Sequence, residues 1–133
     1  MLYFVEMDTR RFDMAVEGTH GRLEAVCVEC GADLIVVIGG GERYHCGAIG
    51  LTLTLPSLKD TDRPTRSTYQ IPVPGHKEEA LAREGSLQLA RSLNRNVLLS
   101  VGIHEDDLSA DGIQHYVDAF YALVERIAQA YEG

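Results

Sequence analysis

The hydrophobic pattern of this chain changes period part-way along, and that change limits the fold more than any single motif does. Through roughly the first half, apolar residues recur at every second position between turn residues, which is the pattern of half-buried strands. Met14 and Val16 close one such run, and Gly18-Thr19-His20-Gly21 reads as a hairpin turn in which glycine supplies the positive φ. Residues 22–30 form the next predicted strand, with Leu23, Ala25 and Cys27 on one face and Glu24, Val26, Val28 and Cys30 on the other. After a turn at Gly31-Ala32-Asp33, the β-branched run 34–38 is too short for a typical helix and predicts a central strand buried on both faces. It stops at Gly39-Gly40-Gly41. A strand over 48–55 ends at Pro56, a polar loop covers 57–66, and the two prolines of 67–74 confine that segment to a sheet edge.

Beyond that edge the period becomes helical. Residues 77–93 are rich in good helix formers, with Ala80, Leu81, Leu87, Ala90 and Leu93 near the helical repeat. Residues 96–102 return to strand. Ser109 then caps a long helix carrying Ile113, Val117, Phe120, Leu123, Val124, Ile127 and Tyr131, which at about 20 residues is about 30 Å long and spans a sheet. Strands first and helices last predict an α+β fold: an antiparallel sheet with two main helices on one side, the second long and C-terminal. The opposite sheet face then needs cover, and pairing of two copies in a homodimer supplies it.

The length of 133 residues fits a single domain, 1–133. An apolar fraction of 45% and a charged fraction of 24% are those of a globular chain. The net charge of -8 works against attraction to nucleic acid or an anionic membrane, so a small molecule or a protein is the expected partner. The first residues, Met1-Leu2-Tyr3-Phe4-Val5-Glu6, lack the basic and apolar regions of a signal peptide, and no apolar run approaches the roughly 18 residues that span a bilayer. A cytoplasmic location is the resulting expectation. Three cysteines, an odd number, suggest free thiols. Cys27 and Cys30 have CxxC spacing, but on a strand residues i and i+3 face opposite ways, which favours packing over metal or redox chemistry.

Three glycine and histidine junctions are the candidate working surface. Gly39-Gly40-Gly41-Glu42-Arg43-Tyr44-His45-Cys46-Gly47 follows the predicted central strand and is either a backbone anion cradle or a long hairpin loop; it matches neither a P-loop nor a dinucleotide fingerprint. Gly75-His76-Lys77 opens the first helix, where free N–H groups, the dipole and the lysine favour an anion such as phosphate, although a simple loop-to-helix turn reads the same way. Gly102-Ile103-His104-Glu105-Asp106-Asp107 ends the last strand, with His104 a possible base or metal ligand among carboxylates that equally suit a helix start. Convergence of His45, His76 and His104 would make a metal-assisted enzyme conceivable. No nucleophile signature is present, so no catalytic residue is assigned.

Taken together, Gly39-Gly40, His45-Cys46-Gly47-Ala48, Pro56-Ser57-Leu58-Lys59-Asp60, Gly75-His76-Lys77 and Gly102-Ile103-His104 resemble the LpdD-like family, small D subunits associated with gallate decarboxylase and similar UbiD-type enzymes. The resemblance spans about 34–127. It implies a non-catalytic accessory protein that binds prenylated FMN, or FMN, or supports maturation of a UbiD-type aromatic-acid decarboxylase, with a fold similar to the small dimeric proteasome-assembly chaperones. It also implies that Gly39, Gly40, His45, Gly47, Gly75, His76, Lys77, Gly102 and His104 are the candidates for contact with a phosphate-bearing flavin or a partner. A purely structural assembly subunit and the small metal-assisted enzyme remain the alternatives.

Overall fold

The computed structural model describes residues 7–55, 63–72 and 78–132. Six strands and two helices follow one another as β1 (Met7–Ala15), β2 (Arg22–Cys30), β3 (Asp33–Gly41), β4 (Arg43–Leu55), β5 (Thr65–Pro72), α1 (Glu79–Leu93), β6 (Val97–His104) and α2 (Ala110–Tyr131). The strands make one sheet in the order β1-β2-β3-β6-β4-β5. β3 and β6 run parallel and every other pair antiparallel, so the sheet is mixed. The α+β class with a long C-terminal helix is the one the periodicity predicts. The parallel pair is invisible in the pattern, because β6 enters between β3 and β4 only after α1.

The period-two reading of the strands sorts the two faces. Leu23, Ala25 and Cys27 of β2, Leu34, Val36 and Ile38 of β3, and Val97, Leu99 and Val101 of β6 are fully buried beneath the helices. Phe120, Leu123, Val124 and Ile127 of α2 complete that core, with Leu89 and Ala90 of α1. α1 comes close to β4: a Cβ on Gly50 would stand 2.3 Å from the carbonyl oxygen of Ala82, so only glycine admits the helix there. Ser86 Oγ and Thr52 Oγ1, both buried, satisfy each other at 2.9 Å across this contact.

On the opposite face no helix packs among the described residues. Val37 is 49% exposed, and Tyr69 and Ile71 on the edge strand β5 are 59% and 63% exposed. β3 is therefore buried on one face only, not on both as its continuous apolar run predicts. The second side of the run, Ile35 and Val37, lies on the face that no described helix covers. Cys27 is buried and Cys30 exposed, as their placement three residues apart on a strand requires. The far end of the sheet is held by a partly buried ion pair, Arg95 Nη1 to Glu29 Oε2 at 2.6 Å, and Arg10 stacks over the ring of Tyr131 at 4.8 Å.

Candidate functional site

The glycine run that closes β3 is not a loop. Gly39, Gly40 and Gly41 belong to β3, only Glu42 turns, and β4 begins at Arg43. The turn is this short because Gly41 adopts φ +76°, and its Cβ position would fall 2.2 Å from the carbonyl oxygen of His104. The parallel register then sets Gly39 beside Gly102 and Gly41 beside His104, while β4 pairs Arg43 with His104. Two of the three junctions seen in the sequence are thus neighbours at one end of the sheet. A shift of register between Tyr44 and Ala48 bulges β4 here, and it carries His45, Cys46 and Gly47 out of the regular ladder.

Close backbone packing accounts for these glycines. A Cβ on Gly102 would lie 1.5 Å from the carbonyl oxygen of His45, and one on Gly39 would lie 2.9 Å from the ring of Tyr44. On Gly40 it would meet Leu23 at 2.4 Å. Gly47 makes room for a carboxylate, since its Cβ would stand 2.5 Å from Glu78 Oε2.

Gly75, His76 and Lys77 lie outside the described residues. The next residue, Glu78, is buried at the N-cap of α1 and joins both described junctions. Its Oε1 lies 3.2 Å from His45 Nε2 and accepts from the backbone N–H of Ile103 at 3.3 Å. Its Oε2 is buried with no hydrogen-bond partner among the described residues. The Glu78 side chain makes no cap bond to the helix, so the first N–H groups of α1 are not satisfied by it.

His45 and His104 face each other with ring centroids 6.3 Å apart. His104 Nε2 is 2.8 Å from Asp106 Oδ1 and also 2.8 Å from Arg43 Nη2, so its tautomer decides whether it donates to the carboxylate or accepts from the guanidinium. The bond from His104 holds the Asp106 carboxyl below its ordinary range, and the charge of Arg43 acts the same way. Among the described residues no group of three or more His, Cys, Asp or Glu is placed to hold a metal ion.

Beside this cluster, between the starts of α1 and α2 and the end of β6, lies a cleft of about 670 Å3. Leu81, Ile103, Leu108, Ile113 and Val117 give it an apolar wall, Tyr116 and Tyr121 add rings, and Glu78, His104 and Glu105 form its polar margin. Most of these polar groups are engaged within the chain. Tyr116 donates to Glu105 Oε1 at 2.6 Å and Tyr121 donates to Glu84 Oε2. Burial and then the Glu105 carboxylate push the Tyr116 hydroxyl up to about 12, so it stays a donor throughout the physiological range. A smaller hollow of about 270 Å3, lined by Arg43, Tyr44, His45 and His104, adjoins the cleft through His104. α2 is capped by Ser109, whose Oγ accepts from Gly112 N at 3.0 Å, as its sequence predicts.

Residues 17–132 match the family described as the prenylated flavin chaperone LpdD-like domain. The chain belongs to this family. The match covers every element from β2 to α2, and so the whole of the LpdD-like cleft and its histidine cluster. Among solved structures, the chain is similar in fold to a protein of a chaperone complex for yeast 20S proteasome assembly, with a TM-score of 0.52 at 9% identity over 93% of this chain and 98% of that one. No curated protein matches it. Among the described residues, no helix is long and apolar enough to cross a membrane.

The sequence missed Glu78, Arg43 and the cleft wall. Ile113 and Val117 belong to the helical stripe of α2, yet Ile113 is 53% exposed and Val117 only partly buried. Periodicity identifies the apolar face of α2 but cannot tell which stretch of it a neighbouring helix leaves open. Glu78 had one signal, a carboxylate immediately following a glycine, histidine and lysine at a helix start.

Proposed function

We propose that this LpdD-like protein is a non-catalytic accessory factor that holds prenylated FMN in the cleft between α1 and α2 and supports maturation of a UbiD-type aromatic-acid decarboxylase. The observation that carries the reading is membership, over residues 17–132, of a family described as prenylated flavin chaperones. The cleft fits the group: about 670 Å3 with an apolar wall and a few polar groups at one margin suits a planar heteroaromatic ring system. Leu81, Ile103, Ile113 and Val117 would pack the ring, and His104 and Glu78 would meet its polar edge. When bound, the flavin supplies chemistry to the decarboxylase, and this chain's residues bind and shield it. His45, Gly47, Gly39, Gly40 and Gly102 serve by building the sheet end that carries His104 and the Glu78 contact. Gly75, His76 and Lys77 stay candidates for the phosphate on sequence grounds.

The uncovered sheet face supports a second copy of the chain as partner. Six strands across and some six residues along give a footprint of roughly 570 Å2, and with side-chain relief this approaches the ~800 Å2 that each partner buries in a standard interface. The cytoplasm is the compartment that suits three free cysteines.

Titration with prenylated FMN and with FMN, followed by flavin fluorescence and paired with pull-down of a UbiD-type decarboxylase, tests the reading. Saturable binding of the prenylated flavin together with capture of the enzyme is expected. Capture with no flavin binding would leave the assembly role alone. Stoichiometric metal bound through histidine would favour the enzyme alternative.

A further inference from the structure

The charges around the cleft are unevenly placed. Its lining includes two carboxylates, Glu78 and Glu105, and among the described lining residues there is no lysine or arginine. Glu78 is buried, and its Oε2 has no hydrogen-bond partner among the described residues, so a dianionic group brought against it would meet a carboxyl oxygen where a donor or a cation is needed. The hollow that shares His104 with the cleft has a guanidinium in its lining, with Arg43 beside His45 and His104. We infer that the ligand lies across His104, its ring system in the apolar cleft and its phosphate monoester on Arg43 in the adjoining hollow.

Arg43 is suited to that task. Its guanidinium is mostly exposed, and its side-chain contacts among the described residues, to His104 Nε2 at 2.8 Å and to Asp106 Oδ1 at 3.4 Å, both use Nη2 of a group with five N–H donors. Asp106 is an anion already held there. Its carboxyl is kept below the ordinary range by the His104 hydrogen bond and by Arg43, which marks the spot as one that favours negative charge. Asp106 is exposed, joined to the chain two residues past β6, and free to yield the guanidinium to a phosphate that makes a stronger, bidentate contact. Arg43 is thereby the residue that reads the phosphate, while the cleft reads the ring.

This inference rests on the cleft being the flavin site, and its test separates the two. Prenylated FMN and the same compound with its phosphate removed are titrated against the full chain and against Arg43→Gln, Lys77→Gln and Asp106→Asn, with melting temperature as the control for folding. The wild type is expected to prefer the phosphorylated form by roughly tenfold to a hundredfold, the range for hydrogen bonds between charged groups. Arg43→Gln should bring that ratio close to one, and Asp106→Asn should raise it by removing the competing anion. A ratio kept by Arg43→Gln, or lost instead in Lys77→Gln, overturns the inference and leaves the cleft reading standing. Failure of the wild type to bind either form overturns both.

Discussion

Single residues in this fold are decided by what a few atoms meet. Gly102 is legible in the sequence as a glycine before a histidine, but its reason is not: the β4 bulge drives the carbonyl oxygen of His45 to 1.5 Å from where a Cβ would stand. Such contacts lie between strands far apart in sequence, so no local pattern announces them. The cysteines are more predictable. Burial pushes the Cys27 thiol up to about 12, with weaker opposing effects from the Tyr131 hydroxyl and the charge of Arg10. Cys27 should therefore resist a thiol reagent at pH 8 in the folded protein, while Cys30 and Cys46, both exposed, react; mass spectrometry before and after unfolding reads the difference. The same raised value fixes a sign. The folded state favours the neutral thiol, so its contribution to stability is complete below about 9, the ordinary value, and is lost as pH rises through about 12. Melting temperature should fall on the alkaline side of 9, and by less in Cys27→Ser after allowance for that variant's lower starting stability.

Elements were the most legible scale. The alternation of β2, the Ser109 cap and the α2 stripe all correspond to what forms, because each is set by residues close in sequence. The limits of legibility have physical causes as well. The stretch at Gly39-Gly40-Gly41 reads as a loop by composition, yet it pairs with β2 and β6, since ladder bonds to two neighbours override the weak strand preference of glycine. The junction of α1 and α2 offers a case where propensity and packing compete. Gly85 lies within α1, and replacing it with alanine should add about 1 kcal/mol of helix preference. The new Cβ would stand 2.7 Å from Leu99 Cδ2 and 2.9 Å from Phe120 Cζ, and overpacking of this kind costs about 1 to 3 kcal/mol. Gly85→Ala is expected to be net destabilising, by up to about 2 kcal/mol, as a lower urea midpoint with unchanged slope. An increase in midpoint would mean that the two side chains yield more readily than their burial implies.

At the scale of the whole molecule, the site forms where chain segments distant in sequence end together. The junctions at Gly39 and Gly102 were identified in the sequence separately, and only the β3–β6 pairing makes them one place. Glu78 then ties the start of α1 to β4 through His45 and to β6 through Ile103, which no spacing rule could foresee. The same architecture leaves one sheet face bare, with Val37 at its centre. Two copies packed on that face should give a dimeric mass by light scattering at micromolar concentration, and Val37→Glu should give a folded monomer, since a buried unpaired carboxylate is too costly to keep. A monomeric wild type would contradict the pairing. Central to the account is the cleft itself, and filling it is the most direct test. Val117 lines the cleft from α2 and is only partly buried, so Val117→Trp can block the space without disturbing the core. The wild type should bind prenylated FMN saturably, at one flavin per chain, and Val117→Trp, with an unchanged melting temperature, should bind it at least about tenfold more weakly, a loss of about 1.4 kcal/mol. Equal binding by the two proteins would contradict it.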